Sequence, residues 1–535
     1  MLRVRRPLVC LFLVLAVALC PLAAGARSRT YAAPTPSAQS RAARAYAAAV
    51  KAGPLALRAF LVEFPKGSDL HMHLTGSVYA ETFIRDAGED GLCIDPKALS
   101  FAKPPCAGSL VPAKELSGNI SAAAQSLYDK LIDSFSMRGF VPTPGWTGHD
   151  QFFATFGRFS GLSTSHLGEW VNEIASLAAA QNVQYLELMD TPPFSHAVEI
   201  ANAIGWNAAL ERGDRDAFAH LRQELLARGL RDEVAPDRAE VRQAEAGRRR
   251  LEHCGTTQAA PACSVEIRYI YQILRGYPPQ QVFAQALLGF ETVQASMDAH
   301  QGNLVGINFV MPEDGYIAMR DYTLQMKMLD YLHSVYPRVH ITLHAGELAP
   351  GMVPPAGLRF HIRQAIELGH AERIGHGVDV MYETDPWGLI HEMARKHIMV
   401  EINLTSNAVI LGIKGAHHPF PIYLAAHVPV TLSTDDEGVS RIDLTHEYVM
   451  AAEEYHLSYA QLKLLARTGL EHAFLPGASL WAREDDFTLP VAACSGQVLG
   501  GDRPSRACKT FLDGSPKAAE QWELERRFRA FDAGF

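Results

Sequence analysis

The chain has 535 residues, enough to bury a large core in one domain with insertions or in two or three smaller ones. Hydrophobic residues make up 48% and charged residues 20%, the ordinary balance of a globular protein. A formal net charge of -9 excludes a general electrostatic attraction to nucleic acid or to an anionic membrane, and leaves small neutral or cationic ligands open.

The first 26 residues have the pattern of a signal peptide. Arg3, Arg5 and Arg6 form a basic start, Leu8 to Leu22 is apolar, and Ala23-Ala24-Gly25-Ala26 offers a small-residue cleavage site. The apolar run is short for a stable membrane anchor, and bulky Leu19 before Cys20 argues against a lipoprotein. The expected location is therefore outside the cytoplasm, periplasmic or secreted. Residues 27–43 form a loose leader rich in Ala, Ser, Thr, Pro and Arg, and a helical pattern runs from about Ala42 to Phe64. Together, 27–64 make a leader and N-terminal helical extension.

From there the chain alternates short strand-like runs with helical segments. The runs are 67–74, 183–190, 264–272, 303–311, 338–345, 373–380, 397–404 and 428–434, with helical spacing at 317–335 and 360–370. Alternation of this kind implies a parallel sheet. Eight units predict an α/β fold closed as a (β/α)8 TIM barrel over 65–490, with an open doubly wound sheet as the alternative. The long gaps after the first and second runs are read as insertions near 85–150 and 209–263. The mixed charges of 209–252 fit solvated helix rather than a nucleic-acid patch.

Six of the eight cysteines lie beyond the leader, in three close couples: Cys93/Cys106, Cys254/Cys263 and Cys494/Cys508. Export favours three local disulfides, with free buried thiols as the alternative. The last couple belongs to a C-terminal segment, 491–535, that ends in a helix placing Trp522, Leu524, Phe528 and Phe531 among charges.

Chemistry-bearing side chains cluster at the ends of the predicted strands. His71 and His73 end the first, His344 and Glu347 the fifth, His376 lies in the sixth, and Asp435 and Asp436 end the eighth. In a parallel barrel, catalytic groups gather at those C-terminal ends. Taken alone, any one of these histidines is as well explained as a buried structural ring. Together, the imidazoles and a carboxylate suit a borderline divalent ion such as zinc, with His71, His73, His344 and Asp435 as candidate ligands. His376 can then orient a water or accept its proton, Glu347 can donate a proton, and Asp436 is left to bind substrate.

These strings, in order, resemble the adenosine deaminase family of metal-dependent hydrolases: His71-Met72-His73, His344-Ala345-Gly346-Glu347, Arg373-Ile374-Gly375-His376-Gly377, Ser406-Asn407 and Thr434-Asp435-Asp436. The leader, the helical extension and the insertion after the first strand resemble the family's secreted, growth-factor-like branch. The resemblance implies one Zn2+ per chain on His71, His73, His344 and Asp435. It further implies hydroxide addition at C6 of adenine, protonation of N1 by Glu347, positioning of the hydroxide by His376 and a hydrogen bond from Asp436 to N7. Adenosine would give inosine and ammonia, and 2′-deoxyadenosine would give 2′-deoxyinosine and ammonia. Besides Asn403-Leu404, which replaces the family's Cys-Pro before Ser406-Asn407, two positions near the expected substrate depart from the family. Thr75 stands where its best-known members carry an acidic residue that meets the ribose 5′-hydroxyl. Met311 stands where a glycine amide approaches purine N3. Both are expected to line the substrate site, and both leave room for another aminopurine or an N6-substituted adenosine. A secreted binding or signalling protein on this scaffold is the reading of another class. The partners expected are a small purine nucleoside and, optionally, a second copy in a homodimer, with no nucleic acid and no stable membrane anchor.

Overall fold

The computed structural model describes residues 36–118, 120–299 and 303–535, so the expected signal peptide and its cleavage site lie outside the described residues. The helical pattern before the barrel is two helices, α1 (Pro36–Ala52) and α2 (Pro54–Glu63). Gly53 at φ 102° breaks the run and Pro54 starts the second helix, where its missing N–H costs nothing.

Eight parallel strands follow: β1 (Gly67–His73), β2 (Val183–Asp190), β3 (Glu266–Leu274), β4 (Leu304–Val310), β5 (His340–Ala345), β6 (Arg373–His376), β7 (Met399–Ile402) and β8 (Val430–Leu432). They hydrogen-bond in chain order from β1 to β8, with helices outside, as the (β/α)8 reading expects. All eight residues of β2 are buried, as are all seven of β4, because a parallel strand is covered on both faces. The later strands stop short of the predicted runs. β6 ends at His376, where φ is 69° and the chain turns away. An apolar run does not record where the ladder stops, and at this rim the backbone bends outward.

Closure between β8 and β1 is made at the rim. The Asp435 amide donates to the His71 carbonyl (2.9 Å), and the His73 amide donates to the Asp435 carbonyl (3.1 Å). Just below, the buried Asp69 carboxylate spans the same seam, accepting from the Thr434 amide (3.1 Å) and hydroxyl (2.8 Å). Barrel closure thus brings Asp435 against the two histidines of β1.

The six cysteines pair as their spacing suggests. Cys93–Cys106 staples a small antiparallel sheet of Cys93–Asp95, Ser100–Ala102 and Val111–Pro112 within the segment between β1 and β2. That segment also carries α3 (Gly148–Arg158), whose start is a Thr147/Asp150 capping box. α3 packs against α4 (Leu404–Ile410), which follows β7 and is backed by α5 (Leu444–Tyr455). The C-terminal helix α6 (Pro516–Ala533) buries Trp522, Leu524 and Phe528 and packs on α1, tying the two ends of the described chain together. Among the described residues, no helix is long and apolar enough to cross a membrane.

Candidate active site

The rim brings together the groups that the sequence distributes over four strands. His71 Nε2 lies 3.1 Å from His344 Nε2, and His73 Nε2 lies 3.2 Å from the same atom. Asp435 Oδ1 is 3.5 Å from His71 Nε2 and 3.2 Å from His73 Nε2. Each of these four donor atoms therefore lies within 3.5 Å of two others. Tetrahedral ligands at the ~2.0–2.1 Å of zinc–nitrogen and zinc–oxygen bonds stand about 3.3–3.4 Å apart, so these separations fit a single small divalent ion.

In His71 and His344 the other ring nitrogen is already committed. His71 Nδ1 contacts Glu401 Oε2 at 2.6 Å, and His344 Nδ1 contacts Asn308 Oδ1 at 2.9 Å. An Nδ1–H donated to an oxygen leaves the Nε2 lone pair free, the arrangement a metal-binding imidazole requires. Glu401 is itself anchored, accepting from Thr342 Oγ1 (3.0 Å) and pairing with Arg373 Nε (2.7 Å). Arg373 continues to Glu187 at 2.6 Å, all of them buried in the barrel. Asp435 is oriented by Ser406, whose hydroxyl donates to Oδ2 at 2.6 Å. Glu401→Gln should weaken metal binding by about 10–100-fold without unfolding the barrel, measured by titration of the stripped protein with zinc.

His376 takes its orientation from a hydrogen-bond relay. The Phe420 amide donates to His418 Nδ1 (3.1 Å), so His418 carries its proton on Nε2 and donates to Asn407 Oδ1 (3.0 Å). The Asn407 amide nitrogen then faces His376 Nδ1 at 2.8 Å as a donor. The proton of His376 is thereby placed on Nε2, which points toward Glu347 Oε1 (3.8 Å) and Asp435 Oδ2 (4.0 Å). Burial lowers the pKa of this ring to about 3, so it stays neutral.

Glu347 sits on the turn after β5. Glu313 holds that turn by accepting from the amides of Gly346 (3.0 Å) and Glu347 (2.8 Å), while His361 Nδ1 contacts the same carboxylate at 2.5 Å. Burial pushes the Glu347 carboxyl well above the usual range, and the charges of Asp435 and Glu313 add to this. Asp436 is buried and raised for the same first reason, with Asp435 beside it, and its Oδ1 has no hydrogen-bond partner. It fits only because residue 76 is glycine: a Cβ there would lie 1.4 Å from Asp436 Oδ1.

Of these groups, His73, His344, Glu347, Asp435 and Asp436 line a pocket of about 440 Å³ together with Thr75, while His71 and His376 are fully buried behind it. Opposite them stand Thr191 after β2, Gln272 and Leu274 of β3, Val310 of β4, Met311 and Pro312, with Phe152, Phe153 and Phe156 of α3 as an aromatic wall. Thr75 and Met311 both line this pocket. The phenylalanines, Gln272, Glu401, Asn308, Glu313 and the Asn407–His418 pair are not anticipated. The Ser406-Asn407 string was visible, but it carries no sign of which site atoms it holds.

The adenosine deaminase family model matches residues 252–480, which contain His344, Glu347, His376, Asp435 and Asp436. A curated Escherichia coli relative named adenosine deaminase is 39% identical over 137 residues, 25% of this chain and 38% of that protein. The matched stretch therefore spans little more than a third of the relative's length. Among solved structures, the apo N6-methyl-AMP deaminase of Arabidopsis thaliana superposes with a TM-score of 0.50 at 22% identity, covering 78% of this chain and 94% of that one. This is a likeness of fold. The family match falls on the strands that carry most of the cluster, and barrel closure adds His71 and His73 from outside it. Over residues 252–480 the chain is thus similar to the adenosine deaminase family.

Proposed function

We propose that the protein is an exported, zinc-dependent deaminase that hydrolyses the 6-amino group of adenosine or 2′-deoxyadenosine to give inosine or 2′-deoxyinosine, respectively, and ammonia. The observation that carries this reading is the meeting of His71, His73, His344 and Asp435 with the buried Glu347 carboxyl beside one pocket. His71, His73, His344 and Asp435 would hold the metal, and Glu401, Asn308 and Ser406 keep their donor atoms turned inward. A divalent ion in such a set supplies a Lewis acid that makes hydroxide available near neutral pH.

The chain's own groups do the rest. Glu347 enters the reaction protonated, because its carboxyl is buried beside other carboxylates, and gives that proton to a ring nitrogen of the substrate as C6 becomes tetrahedral. His376, neutral and protonated at Nε2, acts as a hydrogen-bond donor toward the developing charge rather than as a base at that nitrogen. The unpartnered Asp436 oxygen binds a polar edge of the purine. The phenylalanines of α3 shield the ring from water.

The pocket's composition bears on the substrate. None of the described residues that line it is Lys or Arg, so a 5′-phosphate would enter without a cation to meet it. This favours a nucleoside or free base over a nucleotide. Thr75 and Met311 motivate the second reading, an aminopurine other than adenosine or an N6-substituted adenosine. Three disulfides support export. The test is ammonia release from adenosine, adenine, N6-methyladenosine and AMP, each with and without a chelator. Adenosine is expected to be turned over at least ~10-fold faster than AMP, the factor equivalent to about 1.4 kcal/mol. Chelator-insensitive turnover, or AMP as the best substrate, would overturn the reading.

A further inference from the structure

Met311 follows β4 with φ at 88°. Among the described residues, twelve other non-glycine positions have positive φ, all between 51° and 69°, and ten of those are Asn, Asp or His. These twelve fall in the small left-handed well that short polar side chains and histidine tolerate best. Met311 lies beyond that well and has a long side chain, so its backbone is strained where a glycine would not be. The side chain is 39% exposed and lines the pocket. Its thioether rests on Gly276 in the loop after β3. A Cβ on Gly276 would lie 2.8 Å from Met311 Cε and 3.0 Å from Sδ, so the absence of a side chain at 276 makes the notch that receives it.

In the barrel order β4 is the neighbour of β5, so Met311 stands beside the strand end that carries Glu347, in the same pocket lining. On the proposed reading Glu347 protonates the ring nitrogen N1, and carbon 2, which adjoins N1, is the substitutable ring position on that side.

We propose that Met311 is a specificity-determining residue of this site. Seated on Gly276, its thioether packs against the ring edge that carries carbon 2 and limits the bulk the pocket accepts there. The strained backbone is retained because glycine, which would relieve it, offers no such wall. This rests on the reading of the protein as an aminopurine deaminase.

The experiment uses the metal-loaded full chain and the variants Met311→Gly, Met311→Ala, Gly276→Ala and the Met311→Gly/Gly276→Ala double variant. Adenosine and 2-chloroadenosine are the substrates, and melting temperatures are measured without substrate. Met311→Gly and Met311→Ala should each raise KM for adenosine by about tenfold, with a smaller change in kcat. The preference for adenosine over 2-chloroadenosine should fall by about tenfold or more. The glycine variant should melt about 1–2 °C above the alanine variant, since both lack the side chain and only one keeps the strain. Gly276→Ala should alter KM in the wild-type background and leave it unchanged in the Met311→Gly background. If the glycine variant fails to fold, the alanine variant and Gly276→Ala carry the test. Unchanged KM and selectivity in the folded Met311 variants, an equal effect of Gly276→Ala in both backgrounds, or an alanine variant that melts as high as the glycine one would each overturn the proposal. A wild-type protein that deaminates neither nucleoside would refute the functional reading and this proposal with it. Deamination of adenosine with insensitive variants refutes this proposal alone.

Discussion

Glu347→Gln is expected to lower kcat by ~10²–10⁴ while zinc content stays at the wild-type level. The carboxyl stands apart from the four converging ligand atoms and reaches only within 3.8 Å of His376 Nε2. Glutamine keeps the size of the side chain and the amide that Glu313 holds, and removes only the proton that can be transferred. Because the interaction lost is one made in the transition state, KM should change much less than kcat. The pH profile gives a second readout. Burial raises the Glu347 carboxyl, so the acid form persists above the usual carboxylate range and turnover should fall as pH rises through that raised pKa. In the glutamine variant this alkaline limb should be gone. A variant that loses zinc together with activity, and recovers its rate when zinc is added, would show instead that Glu347 braces the metal site.

His344→Ala should reduce bound zinc to well below one per chain and activity to the level of the chelated wild-type protein. This ring is the hub of the cluster, since its Nε2 is the atom that His71 and His73 both face. Chelation should lower the melting temperature of the wild-type protein, because a ligand bound only by the folded state stabilises it by about 4 kcal/mol at a thousand times its dissociation constant. The same treatment should leave the melting temperature of His344→Ala unchanged. Elemental analysis and paired melts, with and without chelator, measure both effects. Wild-type zinc content in the variant would remove His344 from the ligand set.

The strand ends that carry the chemistry are legible in the sequence for a physical reason. A parallel strand buried on both faces is a nearly continuous apolar run, and a polar group at its C-terminal end stands out against that run. His71 and His73, His344 with Glu347, His376, and Asp435 with Asp436 are all of this kind, and eight such runs separated by helical spacing suffice to indicate the barrel. The cysteine couples are legible because each partner lies within a short loop of the other.

What holds and shapes the site was decided by the tertiary structure. Glu401 and Arg373 are side chains of apolar-looking strands, and nothing local marks them as the charged support of His71, 330 residues away from Glu401. Asn308 lies inside β4 with no signal that it orients His344. The seam at Asp69 and Thr434 joins residues 365 positions apart, and it is this seam that carries Asp435 to the histidines of β1. The aromatic wall comes from α3, whose phenylalanines lie just past the insertion expected near 85–150 in the long gap between the first two strands. Met311 is visible in the sequence as a residue, yet its strain and its notch in Gly276 exist only once two loops meet. Residue type and local periodicity set which groups reach the rim. Hydrogen-bond partners, buried charge pairs and close backbone approaches depend on contacts between distant segments, and these have no period for a sequence to display.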